Sequence, residues 1–475
     1  MLTWGTGVRD ANGRRMGYGL IEELLDVKVV GVAKTADEDR FLSTFGDSPL
    51  TWELPARTRL FLGMGAETPL QISGKNLSGR DVNWSREPSD PETNGAIAFR
   101  EAQTNRAVYL GFSEASWEFD NCLELPKTLD TILAWLRREP SILKSAWTND
   151  ELSAQLLEMD TEDQFSNSLN FANDLNQANI RGTLYSLTRV AKRHVSVVQE
   201  LSERHEIGHH AEVHAGFKGK PLSEQEARLQ SMVDDMREIV GSRALSKVTG
   251  FRAPTESWDA TTEKLLCKYG IKHHVADPSS SEARLPFFSQ SELGLNSEDA
   301  IVVLPRTQMD DVNYLALNLT IERASTLIKR DFDYLHEAGA LGMLSVQSQN
   351  YGETGLMKVL TPPYIERLRE HRKDMWSAPG QEIESWWKSR AGVQLAVKKE
   401  GNAGPLLQFS IQAPGNVRGS TFFVVHPSES KYLMAVVPEN SNLLKPVIQK
   451  IDLFRSAIVF EQKLLAGSYS YKITF

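Results

Sequence analysis

Leu156–Tyr185 reads LLEMDTEDQFSNSLNFANDLNQANIRGTLY. A short apolar run ends in three acids, Asp160, Glu162 and Asp163. Phe165, Leu169, Ala172 and Leu175 follow at helical spacing, and a second apolar run, 180–185, reads as a strand. The stretch is therefore a strand, an acidic loop, a helix and a strand. Acids at the carboxyl end of a strand sit where open and barrel α/β folds place their chemistry. One run of acids is more often a solvated loop, so its weight depends on the partners supplied elsewhere.

Outward from this unit, residues 146–375 keep alternating strand-like and helix-like segments, the pattern of a parallel α/β sheet. Helices are expected at 190–203, 223–240, 261–269, 320–338 and 362–373. In the second of these, Ala227, Leu229, Met232, Val233, Met236 and Val240 keep helical period after Pro221. Strands are expected at 206–214 (with a loop), 250–254, 271–275, 300–304 and 341–346. That is enough βα units for a small barrel.

The flanks differ. Residues 1–145 look like α/β material, with a helix at 19–25, strands at 27–32 and 59–63, a hairpin from 96–100 to 107–112 and a helix at 129–136. The opening MLTWGTGVRD reads like the end of a strand and a loop, so we expect a chain that begins inside a longer protein, with partner domains missing from it. Pro379-Gly380 marks a second boundary. After it, alternating runs at 393–397, 406–411, 420–425, 432–437, 457–460 and 468–475 carry the signature of an antiparallel β-sandwich. The expected domains are thus 1–145, 146–375 and 376–475.

Composition narrows the function. With 475 residues, 41% apolar and 24% charged, the chain is of ordinary globular make-up. A net charge of −9 gives no basic footprint for nucleic acid. No apolar run approaches the roughly 18 residues of a membrane span, and the N-terminus has no signal-peptide pattern. The two cysteines, Cys122 and Cys267, are far apart and define neither a disulfide framework nor a thiolate zinc site. A metal would have to be held by His and carboxylates.

Three clusters lie at strand ends: Asp160-Thr161-Glu162-Asp163, Gly208-His209-His210-Ala211-Glu212-Val213-His214, and Arg252-Ala253-Pro254. Four of the ten histidines fall between 205 and 214. One helical turn would aim His210 and His214 at one point. Two imidazoles and a carboxylate form a hydrolytic zinc set that leaves a position open for water. The plainer alternative is a group of solvated histidines beside a glycine. Arg252 beside Asp160 would favour the ionised carboxylate, and its plainer alternative is a structural ion pair.

The order of these clusters, an acid pair, then HxxxH, then RxP, resembles the polysaccharide deacetylase family (NodB homology, carbohydrate esterase family 4) over about Gln155–Tyr351. The resemblance implies a deformed (β/α) barrel, a divalent metal with zinc expected, and removal of N- or O-acetyl groups from a polysaccharide. It places the catalytic base at Asp160, with Arg252 as its partner. Metal ligands fall at Glu162, His210 and His214, with Asp163 the alternative carboxylate. Pro254 and Gln347 fall on the substrate side. Ala211 stands where the family has Ser or Thr. Gln347 stands about where a general-acid histidine is expected, which leaves His273 or His274 as replacements, or a glycan-binding scaffold without turnover. The family's usual substrates imply a periplasmic or secreted parent. Residues 1–145 loosely resemble the C-terminal part of glutamine-amidotransferase-like domains. Cys122, in FDNCLEL, lacks the Gly-flanked turn of their nucleophile, so an accessory role is expected there. Asp310-Asp311 are candidates for a sugar-touching rim, and Trp386-Trp387 for ring stacking or an interface plug.

Overall fold

The computed structural model of the chain describes residues 1–3, 5–32, 41–43, 48–50, 59–61, 70–80, 95–102, 105–113, 124–276, 285–289, 300–337, 339–400, 406–428, 433–440 and 443–475. These form two compact units, one of residues 151–336 and 340–392, the other of 1–150, 337–339 and 393–475.

The first unit is built on a curled sheet. In spatial order its strands are Phe287–Phe288, Val302–Pro305, His273–Ala276, Gly250–Arg252, Glu206–His209, Thr183–Ser186, Ser153–Thr161 and Leu341–Gln347. Met375–Ser377 pairs with the first half of Ser153–Thr161. All pairings are parallel except that of the short edge strand Phe287–Phe288. Among the described residues Val302–Pro305 and Leu341–Gln347 do not pair, so the barrel stays open there. The Thr307 hydroxyl crosses this gap to the Leu341 carbonyl.

Every residue of Ser153–Thr161 is buried, as expected of a strand with neighbours on both edges and helices outside. Helix Asn167–Gln177 returns along it and buries Phe171, Ala172 and Leu175. Gly182 then lets the chain pass close beneath. A Cβ there would lie 2.6 Å from the Leu157 carbonyl oxygen and 2.7 Å from Leu175 Cδ1.

Some elements differ from expectation. The segment 190–203 is two short helices, Thr188–Ala191 and Val195–Ser202. Helix Leu222–Val240 buries Gln225, Leu229, Met232, Met236 and Ile239 but leaves Ala227 exposed. Its buried amide is satisfied, since the Thr262 hydroxyl donates to Gln225 Oε1 at 2.7 Å. The helix expected from Pro362 begins at Leu356 and runs through Pro362 and Pro363 to Glu370. Proline in a helix interior costs about 3 kcal/mol. Here Met357, Leu360, Tyr364, Ile365 and Leu368 bury one face on both sides of the prolines and hold the helix together.

The unit closes at Gly392, so Pro379-Gly380 lies inside it rather than at a boundary. Helix Gly380–Gly392 is tied to the sheet: the Gly380 amide donates to Thr183 Oγ1 at 2.9 Å and the Gln381 amide to Glu206 Oε2 at 2.9 Å. Trp387 is buried in this helix under the Arg390 guanidinium, 4.9 Å from its ring centre, and is no open sugar platform.

In the other unit, the N-terminal part forms an eight-stranded sheet whose pairings are antiparallel apart from Leu2–Thr3 with Arg106–Leu110. The hairpin Gly95–Glu101 to Arg106–Leu110 is present. Cys122 lies outside the described residues. The C-terminal part forms two four-stranded antiparallel sheets. Ser141–Lys144, from before the barrel segment, supplies an edge strand to one of them by pairing with Thr421–Val425. A cut at residue 145 therefore separates sequence segments and not compact units. Val447–Lys450 is a strand that alternation did not reveal.

Gly182→Ala is expected to destabilise the chain by about 1–3 kcal/mol, because a backbone carbonyl cannot yield as a side chain can. Urea denaturation checks this, and an unchanged midpoint would contradict the close approach.

Candidate metal-compatible hydrolytic site

The three sequence clusters converge at the carboxyl ends of adjacent strands. Asp160 lies at the end of Ser153–Thr161, paired in register with Gln347 on one side and Tyr185 on the other. Glu158 and Asp160 share a face, being two apart on a strand. Both reach Arg252, which ends its own strand. Arg252 Nε forms an ion pair with Asp160 Oδ2 at 2.9 Å, and Nη1 bonds Glu158 Oε1 and, at 2.8 Å, Ser345 Oγ. Burial pushes Glu158 up to about 7 and Asp160 up to about 8, with Arg252 acting in the other direction on each. One guanidinium thus faces two buried carboxyls.

Glu162 is the carboxylate that meets the histidines. Its Oε1 lies 3.1 Å from His210 Nε2 and 3.0 Å from His214 Nε2. Asp163, the alternative, is exposed and contributes only its backbone carbonyl, which accepts from Ser348 Oγ at 2.7 Å. Gln349 Nε2 donates to Glu162 Oε2 at 2.8 Å, and the Glu162 amide donates to Ser348 Oγ at 2.9 Å. Burial alone would raise Glu162, but hydrogen bonds from His210 and Gln349 and the nearby His214 outweigh it and hold the carboxyl below its usual range.

His210 and His214 meet through a loop and not through a helical turn. Ala211 has φ 65°, the left-handed region, which breaks any helix at its start. The loop is pinned by the Thr188 and Arg189 amides, which donate to the Ala211 and Glu212 carbonyls at 3.0 and 3.2 Å. Glu212 is held by Arg228 Nε at 2.8 Å. This bracing stands where a residue-211 hydroxyl is missing. Gln164, Thr255 and Glu256 also have positive φ, 54°, 56° and 52°, so backbone strain gathers around the site. The turn at 255–256 sends Glu256 back to Arg252 at 3.4 Å and on to Arg306.

The donor set fits a tetrahedral divalent ion. His210 Nδ1 lies 2.9 Å from the Arg252 carbonyl, which only accepts, so Nδ1 carries a proton there and Nε2 is the nitrogen that would meet an ion held beside Glu162. Ligand bonds of about 2.0–2.1 Å in tetrahedral array put ligand atoms about 3.3 Å apart, close to the 3.1 and 3.0 Å found here. One ligand atom from each of Glu162, His210 and His214 lies within 4.8 Å of the other two.

Other sequence candidates fall elsewhere. His273 is fully buried near the opposite end of the sheet, 3.3 Å from Glu206, and burial pushes its imidazole down to about 3. His274 faces outward to Glu263 at 3.0 Å. Neither replaces the general acid. Asp310 caps helix Asp311–Ala316, while Asp311 is fully buried and accepts from the Gln347 amide at 2.7 Å and Asn350 Nδ2 at 2.8 Å. Asp311 is thus a brace behind the strand end and not a rim residue. Gln347 Oε1 accepts from Gln349 Nε2 at 3.2 Å, and Pro254 is buried at the start of the turn after Arg252. Sequence reading missed Glu158, Ser345 and Gln349. Period two from Asp160 and from Gln347 would have found the first two.

Residues 162–274 match the family described as polysaccharide deacetylase, a segment that contains Glu162, His210, His214 and Arg252, so the barrel unit carries a domain of that family. A comparison with curated protein sequences found no match. Among solved structures, the chain is similar to a Mycobacterium smegmatis protein assigned as a polysaccharide deacetylase, at 19% identity over 52% of this chain and 93% of that one, with a TM-score of 0.43. It is also similar to the allantoinase PuuE, at 14% identity over 52% and 93%, TM-score 0.42. Agd3, described as a novel carbohydrate deacetylase, is 11% identical over 95% of this chain and 84% of its own, TM-score 0.44.

Arg252→Met is expected to cost about 3–5 kcal/mol, since it strands Glu158 and Asp160 in the interior. Chemical denaturation at neutral pH measures it, and a loss under about 1 kcal/mol, the level of a surface pair, would show that the guanidinium is not the tie described.

Proposed function

We propose that the barrel unit is a metal-dependent hydrolase that removes N- or O-acetyl groups from a polysaccharide. The observation that carries this is the split environment of Asp160. Its Oδ2 is fixed by Arg252, while Oδ1 is buried without a hydrogen-bond partner and lies 3.7 Å from the His210 ring that faces Glu162. A carboxylate with one oxygen anchored and one open is suited to take a proton from water.

Glu162, His210 and His214 would hold a divalent ion, with zinc expected. When bound, it supplies a Lewis acid and a water whose pKa falls toward about 7. Asp160 Oδ1 receives the proton of the water that adds to the acyl carbon. Arg252 keeps Asp160 in place and favours its charged form. The carbon–nitrogen or carbon–oxygen bond then breaks, and the proton on Oδ1 passes to the leaving amine or alcohol, giving acetate and a free amino or hydroxyl group. Asp160 does both transfers because the neighbouring Gln347 and Gln349 side-chain amides do not titrate. Pro254 and Gln347 line the substrate side, and the flanking segments position the polymer or dock partner proteins.

A second reading, a glycan-binding scaffold with impaired turnover, is favoured by Gln347 at the strand end and by Ala211. The two readings separate on one chain. Asp160→Asn is expected to keep the metal and lower acetate release from acetylated glycans about 10²–10⁴-fold. If it works as fast as wild type, the base is misassigned. The His210→Ala/His214→Ala variant is expected to lose the metal from this site, as read by elemental analysis. A metal-loaded wild type that binds acetylated glycans and releases no acetate would favour the scaffold.

A further inference from the structure

A second group of metal-ligating side chains lies at the other end of the same sheet. His336 is in the last turn of helix Ile321–Glu337, His371 caps helix Leu356–Glu370, and Asp374 precedes strand Met375–Ser377. Ser153, which begins the strand that ends at the candidate active site, pairs with Met375, and the Leu152 amide donates to the Asp374 carbonyl at 2.7 Å. One ligand atom from each of His336, His371 and Asp374 lies within 4.8 Å of the other two.

These side chains face one another at ion-pair distances. His336 Nε2 is 3.5 Å from Asp374 Oδ2, and His371 Nδ1 is 3.7 Å from Asp374 Oδ1. Both separations are long for a hydrogen bond. Asp374 Oδ1 is buried with no hydrogen-bond partner. The two imidazoles sit with ring centres 4.2 Å apart. His336 Nδ1 is engaged by Ser153 Oγ at 2.7 Å, which orients the ring and leaves Nε2 toward Asp374. The His371 and Asp374 side chains are 24% and 42% exposed, which gives an ion access from solvent.

We propose that His336, His371 and Asp374 form a second metal site, which takes one divalent transition ion such as zinc through His336 Nε2, a His371 nitrogen and the Asp374 carboxylate. Two imidazoles with one carboxylate suit zinc, cobalt or nickel and not magnesium or calcium, which prefer oxygen ligands. The ion links two helices and the strand pair at the base of the sheet, far along the strand from Asp160. Its effect falls on folding stability, by binding the native state only.

Zinc titration of the chelator-stripped full chain, read by native mass spectrometry and thermal unfolding, tests this. His371→Gln/Asp374→Asn changes the two more exposed ligands and leaves the buried His336 in place. Wild type is expected to take two zinc ions and the His371→Gln/Asp374→Asn variant one. On the His210→Ala/His214→Ala background one zinc ion is expected, with a rise of several degrees in Tm. Adding His371→Gln/Asp374→Asn removes both, and magnesium produces neither. Equal zinc uptake by wild type and His371→Gln/Asp374→Asn overturns the proposal. Loss of one ion in that variant, with none lost in His210→Ala/His214→Ala, supports this site and removes the metal reading of the other, so the two fail separately.

Discussion

The barrel unit depends on one buried cation. Arg252 extends from a three-residue strand and meets Glu158, Asp160 and Ser345, which belong to two other strands of the sheet. Three chain segments separated by about a hundred residues each are thereby fixed at one point inside a curled sheet. A guanidinium suits this task because it is planar, always charged and carries five donors, so it satisfies two carboxyls and a hydroxyl together. The desolvation cost of burying these charges is large, and the bonds to Arg252 offset it only while all partners are present. A chain that keeps such a group in its interior, where apolar packing would be more stable, keeps it for the arrangement of Asp160.

The rim of the site shows a related compromise. Gln164, Ala211, Thr255 and Glu256 adopt left-handed backbone, and none is glycine. Each lies in a loop that leaves a strand carrying a site residue. Left-handed backbone costs a non-glycine residue roughly 1–3 kcal/mol. It is held by what surrounds it: the Thr188 and Arg189 amides on the 211–212 loop, and Arg252 and Arg306 on Glu256. The open edge of the sheet belongs to the same picture. Here the gap is crossed by the Thr307 side chain.

Much of this was legible in the sequence. The acidic loop after the first strand, HxxxH and RxP each stand at a strand end, and the structure brings Asp160, Glu162, His210, His214 and Arg252 together. Period two and period 3.6 located most strands and helices of the middle segment because its sheet is buried and its helices are amphipathic. What failed did so for physical reasons. Spacing of four suggested a helical turn at His210–His214, but the left-handed Ala211 makes a loop. Prolines at 362 and 363 looked like a helix start, yet a continuous buried face carries the helix through them. Ser141–Lys144 is a strand only because a sheet formed about 280 residues later accepts it, and no local pattern encodes such a pairing. Glu158 was passed over because a charged residue in an apolar run has no visible partner until Arg252 is placed.

The carboxyl end of Leu341–Gln347 brings amide side chains to the site. Gln347 pairs in register with Asp160, and Gln349 donates to Glu162. Behind them Asp311, which burial pushes up to about 6, accepts from the Gln347 amide and from Asn350. Amide side chains orient carboxylates well and carry protons poorly. The proton-handling capacity of the site therefore rests on Asp160 and Glu158, which share Arg252. Burial raises both carboxyls, so Asp160 is a stronger base than a solvated aspartate once ionised, and a cation bound beside it at Glu162 would favour that ionised form. In the proposed reaction burial strengthens Asp160 as the base, and Arg252 holds its Oδ2 so that Oδ1 takes the proton.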